Sequence, residues 1–297
     1  MNGKKVLNQL IKLFIVINIV LFIVNYAYKG NQYVLSGKRI QNITSLLEQK
    51  GISIETELLR NFAPKYSAQL MFLGNSVEVR GEIVKQFFGK QLASVKRSTE
   101  ISPKNANETI FYYMLGDETL GFDHYEISYT NLANKGVDER PTSEEAKRLC
   151  EAFITRIGPI SQDQAYQIEE EIYDHYWKLT YYPMIEGIPV LDSYMTFEVY
   201  KMGVAKATLK LADIEITSER KQDICALDLV LFGIEDEILA QGGSVIRAIS
   251  MCYKSDEEEN VLGQQIVPTY KIEIEGLEEP IFVNAYSNEI MTFYFPT

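Results

Sequence analysis

Residues 13–24, Leu-Phe-Ile-Val-Ile-Asn-Ile-Val-Leu-Phe-Ile-Val, constrain this chain more than any other stretch, because eleven of the twelve are apolar and only Asn18 is not. Weaker apolar residues extend the run to positions 6–28. As a helix rising about 1.5 Å per residue, that segment reaches about 34 Å, against a hydrocarbon core of about 30 Å. Each central Leu, Ile, Phe or Val favours insertion by about 0.3–0.6 kcal/mol. The eleven together give about 5 kcal/mol, more than one uncharged amide costs. The sequence therefore predicts an N-terminal transmembrane helix.

Lys4, Lys5 and Lys12 precede or enter the run, whereas the stretch after it, Asn25 to Tyr33, holds only Lys29. That asymmetry predicts a cytoplasmic N-terminus and a single-pass protein of the cell membrane with its body outside. A cleaved signal peptide is the competing reading. Against it, no A-x-A site follows, and Tyr26 and Tyr28 suit an interfacial aromatic belt. Asn18 and Asn25 are seven residues apart and so share one helix face, the candidate partner-binding face within the membrane. The alternative places Asn25 among headgroups and has Asn18 merely tolerated.

Beyond the run, 46% hydrophobic and 24% charged residues over 297 positions indicate folded domains rather than disorder. The net charge of −12 argues against nucleic acid, which demands clustered Lys and Arg. Cys150, Cys225 and Cys252 are an odd number at wide spacing, so neither a disulfide framework nor a zinc site is expected.

Periodicity predicts a helix over residues 36–50, with Ile40, Ile43, Leu46 and Leu47 on one face and Gly51 ending it. Strands are expected at 70–73 and 76–79 around Gly74-Asn75, then a short helix at 81–88. A loop at 98–109 precedes strands at 110–115 and 124–130. Thr142-Ser-Glu-Glu145 opens a helix to about Ile157. Strands follow at 177–182, 188–190, 194–201 and 204–211, a helix at 226–239, and strands at 245–253, 268–274, 280–285 and 290–295. The expected organisation is a cytoplasmic tip and anchor (1–30), an extracytoplasmic α+β domain (31–140), and two repeats (141–218 and 219–297). Each repeat reads as a helix followed by antiparallel strands. The fold class is α+β, antiparallel sheets with helices packed on one side.

Chemistry is sparse. His124 and His175 sit in no metal-ligand spacing, and there is no G-x-S-x-G, P-loop or G-x-G-x-x-G, so no catalytic residue, cofactor or metal is assigned. The acidic run Asp256 to Glu259 lacks the glycine turn of a calcium loop and reads as solvated. With 41 acids, a carboxylate pair suited to glycosidic chemistry cannot be picked out by spacing.

Four stretches carry a resemblance: the anchor with Asn18-Ile-Val-Leu-Phe22; Leu46-Leu-Glu-Gln-Lys-Gly-Ile52; Lys178-Leu-Thr-Tyr-Tyr-Pro-Met-Ile-Glu-Gly-Ile-Pro-Val190; and Val267-Pro-Thr-Tyr-Lys271 leading into Phe282-Val-Asn-Ala-Tyr286. In this order they resemble the YycI (WalI) family of membrane-anchored regulators of two-component systems. The last stretch also looks like PepSY-type helix-plus-hairpin modules. Tyr270 stands where the family shows Trp, and Ser287-Asn-Glu289 where it shows Gly-Glu, as in a divergent member. The resemblance implies a non-enzymatic protein that works in a hetero-oligomer with a YycH-like protein. It would adjust a WalK-like sensor histidine kinase controlling cell-wall metabolism, partly through membrane-helix contacts. Two rivals are a PepSY-like inhibitor of an exported peptidase and a wall-active hydrolase.

Overall fold

Three helix starts among the described residues are set by side chains that satisfy the first free N–H groups. Ser36 Oγ accepts from Arg39 N at 3.3 Å and Ser76 Oγ from Val79 N at 3.2 Å. Thr142 and Glu145 close a reciprocal capping box. The computed structural model describes residues 11–22, 35–73, 76–103, 107–136, 139–158, 164–255 and 263–291. Its helices are α1 (residues 11–22), α2 (Gly37–Gln49), α3 (Val77–Phe88), α4 (Ser143–Ile157) and α5 (Leu227–Ala240). The strands are β1 (Ser53–Ile54), β2 (Ala68–Phe72), β3 (Lys96–Ile101), β4 (Thr109–Leu115), β5 (Glu118–Asp123), β6 (Glu126–Asn131), β7 (Tyr166–Ile172), β8 (Trp177–Ile185), β9 (Ile188–Pro189), β10 (Tyr194–Tyr200), β11 (Gly203–Lys210), β12 (Ala212–Ile216), β13 (Val245–Lys254), β14 (Gly263–Ile274), β15 (Ile281–Asn284) and β16 (Ile290–Met291). The protein is α+β, with sheets that are mainly antiparallel.

Two compact units interleave along the sequence. The first takes in Met1–Lys65, Gln222–Ser250 and Tyr270–Thr297. In it, Ile43 and Leu47 of α2 and Val230, Leu231, Ile234 and Ile238 of α5 are buried. Arg39 holds Asp228 through two oxygens, Nε to Oδ2 at 3.0 Å and Nη2 to Oδ1 at 2.7 Å. Lys50 Nζ lies 2.9 Å from Glu235 Oε1. β1 pairs with β13 in parallel, and β15 with β16 antiparallel.

The second unit, Tyr66–Lys221 with Met251–Thr269, contains a nine-stranded sheet in the order β3-β4-β5-β6-β11-β10-β8-β7, with β9 beside β8. Alternation decides its faces. In β10, Met195, Phe197 and Val199 are buried while Thr196 and Glu198 are not fully so. The buried side chains meet Ile83, Val84, Phe87 and Phe88 of α3 and Ala146, Cys150, Phe153 and Ile157 of α4 in one core. A smaller cluster around β2 includes Leu70, Phe72, Val190, Tyr253 and Ile266.

The structure corrects several expectations. Residues 76–79 open α3 rather than forming a strand: the Ser76 cap and the spacing of Ile83, Val84, Phe87 and Phe88 outweigh the β preference of Val77 and Val79. Residues 98–109 are not a continuous loop, because Lys96–Ile101 pairs with β4 from Lys96↔Met114 to Ile101↔Thr109. That strand is at the sheet edge and largely exposed, so it lacks the alternating apolar signal. His124 does not begin a strand. It has φ 48° between β5 and β6, a left-handed position that His tolerates better than most residues. β14 begins at Gly263, five residues before Pro268, the expected start of that strand.

Candidate functional site

The anchor face comes first. In α1 every side chain from residue 11 to 22 is exposed, including Phe14 at 68% and Phe22 at 72%. Asn18 Nδ2 donates to Phe14 O at 2.8 Å, one turn back. One of its two amide N–H groups is thus satisfied within the helix, leaving the second and the amide oxygen for a partner. Asn25 lies outside the described residues. No described helix is long and apolar enough to cross a membrane; α1 covers twelve residues, and the flanking parts of the apolar run lie outside the description.

The histidines are placed apart. His124 Nδ1 is 3.4 Å from Glu108 Oε2, and His175 is exposed in the β7–β8 turn. Among the described residues, no group of three or more His, Cys, Asp or Glu side chains could hold a metal ion. Asp256 to Glu259 fall outside them. None of the three cysteines is in a disulfide, and burial pushes the Cys150 thiol up to about 12, away from nucleophilic use.

A two-pronged ion pair with no local motif in the sequence joins residues 38 positions apart. Glu118 on β5 receives Arg156 of α4 in a two-pronged pair, Nη1 to Oε1 at 2.6 Å and Nη2 to Oε2 at 2.7 Å. Tyr129 Oη on β6 donates to Glu118 Oε1 at 2.9 Å. Arg156 Nε also donates to Phe87 O at 3.1 Å, and its guanidinium lies 3.7 Å from the Phe87 ring centre. Burial pushes the Glu118 carboxyl up, but the hydrogen bonds and charge of Arg156 and the Tyr129 hydroxyl outweigh it and hold the group below its usual range. Burial, then the Glu118 charge, raise Tyr129 and keep it neutral. These groups border an open cleft of about 210 Å³, with Asn131 and Asn134 beside them. Together these bonds fasten α4 to β5 and β6. A second cleft, bordered by Gln164, Ser193 and Asp213, measures only about 70 Å³, well short of the roughly 300 Å³ of a small-molecule site.

No family model matches the chain, and no curated protein matches it. Among solved structures, it is similar to an uncharacterized protein from Eubacterium rectale at TM-score 0.50 and 9% identity, covering 82% of this chain and 90% of that one. It is also similar to the Bacillus megaterium YpeB C-terminal domain at TM-score 0.40 and 12% identity, covering 74% of this chain and 96% of that one. At such identity the first likeness speaks to the fold alone, and the second is too distant to carry an argument. Neither shows the YycI family.

Proposed function

We propose that the chain is a membrane-anchored extracytoplasmic regulator of a two-component system, a divergent relative of the YycI family. It adjusts a sensor histidine kinase that controls cell-wall metabolism and works beside a YycH-like protein. In this reading α4 with its strands and α5 with its strands are two PepSY-like units serving as recognition modules, and no step of the function is chemical.

The observation that carries the reading is α1. Apart from Lys12 and Asn18 its residues are apolar, and all of them are exposed, an arrangement that water penalises and a bilayer favours. Lysines 4, 5 and 12 at its start orient it with the body outside. Within hydrocarbon, the half-satisfied Asn18 amide favours a partner helix offering a polar or small residue, worth on the order of 1 kcal/mol. A kinase poised between two states separated by a few kcal/mol responds several-fold to a differential contact of that size.

The test replaces residues 6–28 with an unrelated span of equal length and, separately, makes Asn18→Leu, with export and protein level confirmed. The span swap is expected to change kinase-dependent transcription several-fold, and Asn18→Leu about two- to fivefold. Protease added to intact protoplasts is expected to degrade the body of the unmodified chain. Unchanged transcription in both variants reduces the anchor to a tether, and full-length survival in protoplasts reverses the topology.

A further inference from the structure

At one end of the nine-stranded sheet three tyrosines stack. Tyr173 and Tyr176 lie in the β7–β8 turn, with ring centres 4.5 Å apart and planes 1° from parallel. Tyr176 in turn stacks on Tyr200, at the end of β10, at 5.0 Å and 20°. Lys135 Nζ lies 5.5 Å from the Tyr200 ring centre, covering the inner end of the column. Tyr173, the other end member of the column, is 39% exposed. Arg140 Nη1 pins the Tyr173 carbonyl at 2.8 Å, and the Tyr173 hydroxyl donates to Glu171 Oε2 at 2.9 Å, so the ring is fixed in position. Glu171 also receives Lys178 Nζ on its other oxygen at 2.7 Å, and Glu171 and Lys178 are direct cross-strand partners. Their side chains are 50% and 38% exposed.

We propose that the outer face of Tyr173, with the Glu171–Lys178 pair at its rim, is a binding subsite for a neutral pyranose ring. The column is pre-oriented, so little side-chain freedom is lost when a fourth ring is added. The rim selects the chemistry of that ring. A cation on the aromatic face would be drawn by Glu171 but opposed by Lys178, and an anion by the reverse. An aliphatic or aromatic side chain of a partner protein would strip water from an ion pair that it cannot hydrogen-bond. A neutral sugar meets neither objection. Its C–H face lies on the phenol ring, while its hydroxyls donate to the carboxylate and accept from the ammonium. The chemistry is independent of the kinase reading; only access to glycans outside the cell rests on the proposed topology.

The test uses the full chain in a polyoxyethylene detergent, which carries no sugar headgroup, and saturation-transfer NMR observed on the ligand. The probes are chitotetraose and cellotetraose, with choline and glucuronate as charged controls. Expected is saturable transfer to the ring C–H protons of at least one neutral tetrasaccharide, with Kd on the order of 1 mM. Tyr173→Ala is expected to weaken binding on the order of tenfold, Tyr173→Phe by less than about threefold, and the exposed-rim variant Glu171→Ala by about three- to tenfold. Transfer to choline or glucuronate but to neither neutral sugar, or no saturable transfer to any probe, overturns the proposal. So does a Kd that neither Tyr173→Ala nor Glu171→Ala alters. Kinase-dependent transcription is not read in this experiment, so failure of the regulator reading leaves its outcome intact.

Discussion

Phe197→Ala is expected to destabilise the second unit by about 3–5 kcal/mol, the largest effect of any single change considered for this chain. Phe197 is fully buried on β10 and meets Phe153 of α4 edge-on at 5.7 Å and Tyr181 of β8 at 5.6 Å. Truncation removes the apolar ring and two edge-to-face contacts together, and it opens a void that three elements border without being able to close it. Domains of this size hold about 5–15 kcal/mol in total, so the variant sits near the edge of folding. Phe197→Leu, which keeps most of the volume, is expected to cost about 1–2 kcal/mol. Leu132→Ala, at a side chain 64% exposed, is expected to stay within about 0.5 kcal/mol. Urea unfolding followed by the emission of Trp177, the one tryptophan, reports on the unit that contains all three positions. Equal losses for Phe197→Ala and Leu132→Ala contradict the assignment of β10 to the core.

The elements that were legible in the sequence are those with two agreeing signals. α4 carries both a capping box at Thr142 and Glu145 and apolar residues at Ala146, Cys150, Phe153 and Ile157, a spacing of three and four. β8, β10 and β11 carry alternation, since each has one face on the core. β3 and β7 were not legible, and the reason is position: both are edge strands. β7 runs Tyr166-Gln-Ile-Glu-Glu-Glu-Ile172, three consecutive acids that suit an unpaired edge and hide the strand pattern. α3 was half legible, because Val77 and Val79 favour a strand until the Ser76 cap is weighed together with the spacing of Ile83, Val84, Phe87 and Phe88. The interleaving of the two units is invisible to any linear reading, as it depends on β13 and β14 each carrying residues of both. The same holds for the polar groupings. Glu118, Tyr129 and Arg156 converge from two strands and a helix, and Tyr200 reaches Tyr176 because β10 lies beside β8, with Val199 opposite Trp177. Neither grouping has a local motif. Asn18 could be singled out from the sequence because a lone amide in an apolar run contradicts its surroundings; its donation to Phe14 O could not.

Arg156→Ala is expected to cost about 2–3 kcal/mol at neutral pH and to reverse the sign of the Glu118 contribution to the acid dependence of stability. The Glu118 side chain is only 20% exposed, and in the variant it keeps Tyr129 as a donor but loses both guanidinium bonds. The change also removes the bond to Phe87 O and the stacking on the Phe87 ring. A fully buried pair broken on one side costs about 3–5 kcal/mol, and the 38% exposure of Arg156 moves the expectation below that range. In the unmodified chain the Glu118 carboxyl is held below its ordinary value. Its contribution is therefore fully present above about pH 4.5 and is lost as pH falls through the lowered folded value. Without Arg156, burial becomes the dominant influence and the folded carboxyl rises above its ordinary value. The sign then reverses: the variant is relatively better off below about pH 4.5, where the group is protonated in both states, and loses stability as pH rises toward 7. The gap between the two proteins is thus expected to narrow by about half or more between pH 7 and pH 4. Arg156→Lys, which keeps the charge but not the two-pronged geometry, is expected to lie between them at about 1–2 kcal/mol. Urea midpoints by Trp177 emission at pH 4, 5, 6 and 7 read all of this. A constant gap across that range means that Glu118 is not the group the guanidinium stabilises, and that the loss in Arg156→Ala comes from its contacts with Phe87 alone.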